Sequence, residues 1–167
     1  MDGDRDFSSY LVARWPGLIR SLVLLGCRYA DAEQVAREGL AHCHDSWAKD
    51  RESDDIDVHV YRVVLERLER LRKRERRHGQ RPDLAEPPLL IDPTQADPAQ
   101  RLALRHALEE GLGQLLPEER TVLVLRFVAE LSQVQVADVL EVPAFEVQEL
   151  QATGLARLDL VALRDVR

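Results

Sequence analysis

Cysteine is scarce in this 167-residue chain: there are two, Cys27 and Cys43, too few for a disulfide framework. Aromatic residues make up 5 % of the sequence, which argues against a β-sandwich or barrel, whose strands favour aromatic and β-branched side chains. Apolar runs are short. Leu22 to Leu25 is closed off by Ser21 and Gly26, far from the roughly 20 apolar residues of a membrane span. The start, Met1-Asp2-Gly3-Asp4, has neither the basic residues nor the apolar core of a signal peptide. There is no glycine-rich phosphate loop and no nucleophile–base constellation. His42-Cys43-His44 does not make a metal site, because consecutive helical residues point in different directions. These absences lead to the expectation of a cytoplasmic protein that is not an enzyme, takes no metal or cofactor, and does not enter a membrane.

What is present favours helix. Hydrophobic residues are 45 % and charged residues 32 %, a soluble globular composition. Ala, Leu, Glu and Arg are good helix formers. The net charge of −7 conceals a segregation. Residues 1–60 carry 7 basic and 12 acidic side chains, residues 61–81 carry 9 and 3, and residues 82–167 carry 7 and 15. One basic stripe thus lies between two acidic halves. Such a stripe attracts polyanions by counterion release, and the flanks repel them.

The periodicity predicts an all-α protein of two small helical domains joined by a proline-rich linker. The first domain, residues 1–77, holds three helices. Phe7, Tyr10, Leu11, Trp15, Leu18, Ile19 and Leu22 mark the first, with a kink or break expected at Pro16-Gly17. Val35, Leu40, Cys43 and Trp47 mark the second, with Asp31 as its N-cap. The third starts near Asp55 and carries Val60, Val63, Val64, Leu68 and Leu71. The linker, residues 78–97, contains Gly79, Pro82, Pro87, Pro88 and Pro93, and a helix cannot cross it. The second domain, residues 98–167, opens with a helix from Asp97-Pro98 to Leu116 and another from Pro117. Ser132 then caps a short helix to Leu140, and a longer one runs from Pro143 to Leu158. Short helix, tight turn and longer helix make a helix-turn-helix layout.

Leu116-Pro117-Glu118-Glu119-Arg120-Thr121-Val122-Leu123, Leu131-Ser132, Val136-Ala137-Asp138-Val139-Leu140 and Gly154-Leu155-Ala156-Arg157-Leu158 together resemble the fourth region of bacterial sigma factors. Ala13-Arg14-Trp15-Pro16, Asp31-Ala32-Glu33, Trp47, Tyr61-Arg62-Val63-Val64 and the run Arg72-Lys73-Arg74-Glu75-Arg76-Arg77 are similar to the second region. The set is colinear over residues 5–77 and 98–160, and the family it resembles is the extracytoplasmic-function class. The resemblance implies a protein that binds core RNA polymerase and directs it to promoters. Its second region would open the minus-ten element, and its fourth would read the minus-thirty-five element. It implies polymerase contacts at Glu33, Gln34, Arg37, Glu38, His42 and Trp47. It implies DNA contacts at Arg67, Arg70, Arg72, Lys73, Arg74, Arg76 and Arg77, and in the recognition helix at Glu146, Gln148, Glu149, Gln151 and Thr153. An anti-sigma or other regulatory protein is a further implied partner.

The sequence departs from that pattern where contacts should fall. Similar proteins usually have Thr-Val-Lys-Ser in the recognition helix; here the residues are Glu146-Val147-Gln148-Glu149. Residues 117–158 carry Arg120, Arg126 and Arg157 against seven acids, whereas groove readers use Arg, Lys, Asn or Gln. Promoter contact by the C-terminal domain is therefore doubtful. Gln34, Arg37 and Glu66 also replace residues common in the family. The basic run itself has a plainer reading, as cations at a helix C-terminus with Glu66, Glu69 and Glu75 as local partners. The alternative to a working sigma factor is a degenerate sigma-like protein that keeps the fold as a protein-interaction module. An acidic C-terminal half docked on the basic stripe is a further expectation.

Overall fold

A computed structural model describes residues 2–50, 55–79 and 111–164. Among these the secondary structure is helical throughout: α1 (Asp2–Leu24), α2 (Tyr29–Asp50), α3 (Ile56–Arg77), α4 (Pro117–Phe127), α5 (Gln133–Leu140) and α6 (Ala144–Arg164). Residues 111–113 are also helical. The rest of the helix expected from Asp97, and the linker apart from His78 and Gly79, lie outside the described residues.

The first three helices pack on one another around Leu18, Leu22, Val35, Leu40, Val60, Val64 and Leu68. Each buried leucine contributes about 2 kcal/mol by leaving water. α1 runs unbroken through Pro16, contrary to the expected break. Val12, four residues earlier and deprived of its amide partner, is 74 % exposed, so water can satisfy its carbonyl. Gly26 turns the chain from α1 to α2 at φ +94°, a conformation costly for any residue with a Cβ. α2 begins two residues earlier than expected. Asp31 is in its first turn rather than at the cap, and it accepts a 2.6 Å hydrogen bond from Arg28. Asp55 does cap α3, accepting the Val58 N–H. α2 and α3 approach closely at Gly39, where an added Cβ would sit 2.7 Å from Val64 Cγ2.

Two polar devices hold this half in register. Asp57, nearly buried, accepts from the Tyr10 hydroxyl at 2.7 Å and pairs with Arg14. Phe7, Tyr10 and Trp47 form an aromatic cluster with ring centroids 5.0–5.2 Å apart around Trp47. Burial and the Asp57 hydrogen bond push the Tyr10 hydroxyl well above its usual pKa, so it stays a donor. Burial, with the Asp31 charge, pushes the Cys27 thiol up to about 12, which keeps it protonated and unreactive.

In the C-terminal half, Pro117 opens α4 and Ser132 opens α5. Ser132 accepts the Gln135 N–H at 3.1 Å while Gln135 accepts the Ser132 N–H at 2.7 Å, a reciprocal capping box. Glu141 ends α5 in the left-handed region at φ 56°. α6 then crosses α4 and α5, burying Val147 and bringing Gly154 against Leu123. Phe127, at the end of α4, is 55 % exposed.

Candidate nucleic-acid interface

α3 carries all seven of the cations singled out from the basic run, and its geometry sorts them into two sets. Arg67, Arg70, Lys73, Arg74 and Arg77 line one groove of about 600 Å³ with Glu38 and His78. Residues three, four and seven apart share a helix face, which is why these five converge. Arg72 and Arg76 lie on another face. Arg72 donates to the Leu25 carbonyl at the end of α1, and both pair with Glu69. Arg72 thereby ties α3 to the end of α1. In the groove the neutralising partners are weak, with Arg70–Glu66 and Arg67–Glu38 each at 3.9 Å. Five cations against one lining carboxylate make a surface suited to a phosphate backbone.

The α2 residues form a stripe beside that groove. Gln34, Arg37, Glu38 and His42 are exposed along one face, and Glu33 is half-buried. Gln34 donates to Glu38 at 2.9 Å, and Glu38 reaches Arg67, so the stripe and the groove share an edge. Trp47 is 7 % exposed, packed on Phe7 and Tyr10. It can shape this surface from beneath but offers little of itself to a partner. The sequence reading missed a neighbouring apolar groove of about 650 Å³ between α1 and α2, lined by Phe7, Leu11, Trp15, Leu40, Ala41 and His44 among others. Leu11 and Trp15 at i, i+4 were legible as one face, but not as a face left half open.

The helix-turn-helix half is arranged differently. α6 buries Val147 and Gly154, which leaves Phe145, Gln148, Glu149 and Ala152 facing outward. Glu146 is half-buried. Gln151 is drawn inward and accepts from Arg126 Nε at 2.9 Å. The Thr153 hydroxyl is exposed but returns to the Glu149 carbonyl of its own helix. Of the five α6 residues proposed for DNA, Gln148 and Glu149 are the ones presented fully. All three arginines of residues 117–158 are engaged within the protein. Arg120 donates to the Leu112 carbonyl, Arg126 to Gln151 and Leu131, and Arg157 to Glu119. Burial would raise the pKa of Glu119, which is 2 % exposed. Hydrogen bonds from the Leu116 N–H, Arg157 and Thr153, with the Arg157 charge, instead hold it below its usual value.

A three-helix unit with a cationic groove is followed by a capped helix-turn-helix. Residues 111–159 match the family model for sigma-70, region 4. Over 160 residues, 94 % of this chain and 87 % of the relative, the sequence is 29 % identical to the RNA polymerase sigma-E factor of Streptomyces coelicolor. The fold is that of the sigma factor RpoE from Bartonella quintana in its complex with the anti-sigma factor NepR. The TM-score is 0.74 at 17 % identity, covering 95 % of this chain and 97 % of that one. It also matches CnrH in complex with the cytosolic domain of CnrY, with a TM-score of 0.71 at 19 % identity over 98 % and 90 % of the two chains. The chain thus resembles sigma factors in sequence and fold along nearly its whole length. No helix among the described residues is long and apolar enough to cross a membrane.

Proposed function

We propose that this protein binds core RNA polymerase and directs promoter-specific initiation, with DNA contact centred on the α3 groove. The carrying observation is the convergence of Arg67, Arg70, Lys73, Arg74 and Arg77 in one groove with a single lining carboxylate, within a sigma-type fold. The exposed α2 stripe of Gln34, Arg37, Glu38 and His42 is the surface for polymerase, with Glu33 at its edge and Trp47 as its support. Residues 1–77 and 98–167 act as the two working domains, with 78–97 as the tether. α6 contributes less to sequence reading than the fold suggests, because its outer face offers Gln148 and Glu149 while its Arg157 is paired with Glu119. An anti-sigma partner, as NepR is for the Bartonella protein, is the regulator this reading expects.

The test is reconstituted transcription with core polymerase on a library of promoter fragments. Enrichment of a defined set of start sites, lost when Arg70 and Arg74 are changed to Glu, is the expected result. Tight binding to core polymerase with no start site enriched would overturn it.

A further inference from the structure

A cavity of about 500 Å³ lies where the turn between α1 and α2 meets the C-terminal half of α3 and the start of α4. Among the described residues it shares no lining side chain with the cationic groove on the other face of α3. Leu25, Cys27, Leu68, Leu71 and Pro117 build its apolar side. Leu68, Leu71, Arg72 and Glu75 come to it together because residues three, four and seven apart share a helix face. Gly26 makes the room. The turn there, at φ +94°, suits glycine, and a Cβ on it would lie 4.0 Å from Arg120 Nη1.

Four arginines reach this cavity, and two of them are already spent. Arg28 pairs with Asp31 at 2.6 Å, and Arg76 pairs with Glu69 at 3.1 Å. The other two are oriented but not neutralised. Arg72 donates to the Leu25 carbonyl and stands 3.9 Å from Glu69, whose nearer partner is Arg76. Arg120 Nε donates to the Leu112 carbonyl at 2.8 Å. A carbonyl fixes a guanidinium without cancelling its charge, so the remaining N–H groups of both forks stay cationic. Burial, and then the Arg72 charge, push the Arg120 pKa below its usual value. Two guanidiniums in one partly dry space, with too little negative charge between them, produce that direction of shift. The lining arginines exceed Asp31, Glu69 and Glu75 by one charge.

We propose that this cavity is a binding site for an organic monocarboxylate with an apolar body, its oxyanion held between Arg72 and Arg120 and its tail laid on Leu25, Leu68 and Leu71. A carboxylate matches the planar fork of a guanidinium, and such charge-assisted pairs are the strong ones. A single negative charge balances the excess on the lining. A phosphate monoester would bring a second charge into a site that already holds Glu75. The volume falls within the range of about 300–1,000 Å³ common for small-molecule pockets, and the mix of an apolar wall with a few convergent polar groups is their usual chemistry. The site does not rest on the proposed function. Its walls come from both halves, so it is tested in the full chain.

Octanoate is the probe, titrated calorimetrically into the full chain, with octanol and octyl phosphate as the contrasting ligands. One octanoate per chain is expected, with a Kd of about 1 mM or tighter, as a ligand of about ten non-hydrogen atoms reaches at ordinary efficiency. Octanol has the same tail without the charge and should bind at least about tenfold more weakly. Octyl phosphate should also bind more weakly than octanoate. Arg72→Gln and Arg120→Gln should each weaken octanoate by about tenfold or more, with circular dichroism to verify helix content. Each also removes a bond within the protein, so Leu71→Trp supplies a second test: it leaves both arginines in place and fills the apolar side, and it should weaken octanoate to a similar extent. Octanoate should raise the melting temperature of the wild type, since a ligand of the folded state stabilises it, and should leave that of the folded variants nearly unchanged. No saturable binding, equal binding of octanol, tighter binding of octyl phosphate, or unaltered binding by Leu71→Trp and the two arginine variants overturns the proposal.

Discussion

The two halves of the molecule spend their arginines in opposite ways. In α1–α3, five cations line one groove, with Arg67 and Arg70 only loosely paired at 3.9 Å, and Arg72 secures the end of α1 against α3. In α4–α6, all three arginines of residues 117–158 are hydrogen-bonded within the protein, to Leu112, Gln151, Leu131 and Glu119. Both halves keep a sigma-type scaffold, yet only one keeps its charge available. Net charge alone does not distinguish these cases; the bonding of each cation does.

The largest expected effect breaks the comparison directly. Arg70→Glu with Arg74→Glu should weaken binding to promoter DNA by about 100-fold or more near 0.1 M salt. It should also flatten the salt dependence by two or more ions, since each phosphate contact contributes roughly one unit of slope. Glu146→Gln with Glu149→Gln, in α6, should change affinity by no more than about tenfold, and upward, by relieving repulsion. A filter-binding or fluorescence titration at several salt concentrations reads both. Equal and opposite effects from the two pairs would show that the recognition helix lies on DNA after all.

A matched pair of glycines sharpens the contrast in packing. Gly39→Ala puts a methyl 2.7 Å from Val64 Cγ2 and 3.6 Å from its Cα, against a stiff β-branched side chain. The clash should outweigh the helix-propensity gain and cost about 1–3 kcal/mol. Gly154→Ala meets Leu123 Cδ1 at 3.0 Å, the far end of a more adaptable side chain, and should fall within about 1 kcal/mol of neutral. Urea unfolding of the two variants gives the ranking.

Acid titration separates the halves by a different group. Glu119 is held below its usual value near 4.5 by Leu116, Arg157 and Thr153. A carboxyl depressed on folding stabilises the protein above its unfolded pKa, and this contribution is lost as pH falls through the folded value. Glu119→Gln should therefore cost about 1–2 kcal/mol at pH 7. The gap from wild type should close as the pH drops below 4.5, as followed by thermal melts. A constant gap would mean that shape, not charge, matters at this site.

The sequence made much of this arrangement legible, and the failures have physical reasons. Asp55, Pro117 and Ser132 begin α3, α4 and α5 as read, because capping chemistry is local. The apolar periodicity of Leu18, Leu22, Val60, Val64 and Leu68 identified the core for the same reason. The chain does not break at Pro16, because a proline is tolerated where the carbonyl it orphans faces water. The basic run was legible as charge but not as two faces, since the Arg72 partner at Leu25 depends on where α1 ends. Gln151 was read as an outward contact and is instead bound by Arg126 from α4. The hydrogen bond from Gln135 to Asp55 had no sequence signal, because the two residues are 80 apart and each has a local role at its own helix start.

The smallest effect concerns backbone strain, and here too the halves differ. Where the chain must enter the left-handed region, the N-terminal half uses Gly26, at φ 94°, and Gly79, at φ 65°. The C-terminal half uses Glu130, at φ 59°, and Glu141, at φ 56°. A side chain there suffers a Cβ–carbonyl contact worth about 1 kcal/mol, and at Glu141 the carboxylate also sits at the negative end of α5. Glycine removes both penalties but returns some entropy to the unfolded chain. Glu141→Gly should therefore gain only about 0.5–1 kcal/mol, read as a small rise in melting temperature. A loss of stability would instead mean that the Glu141 side chain makes a favourable contact, and that the turn into α6 is held by more than backbone conformation.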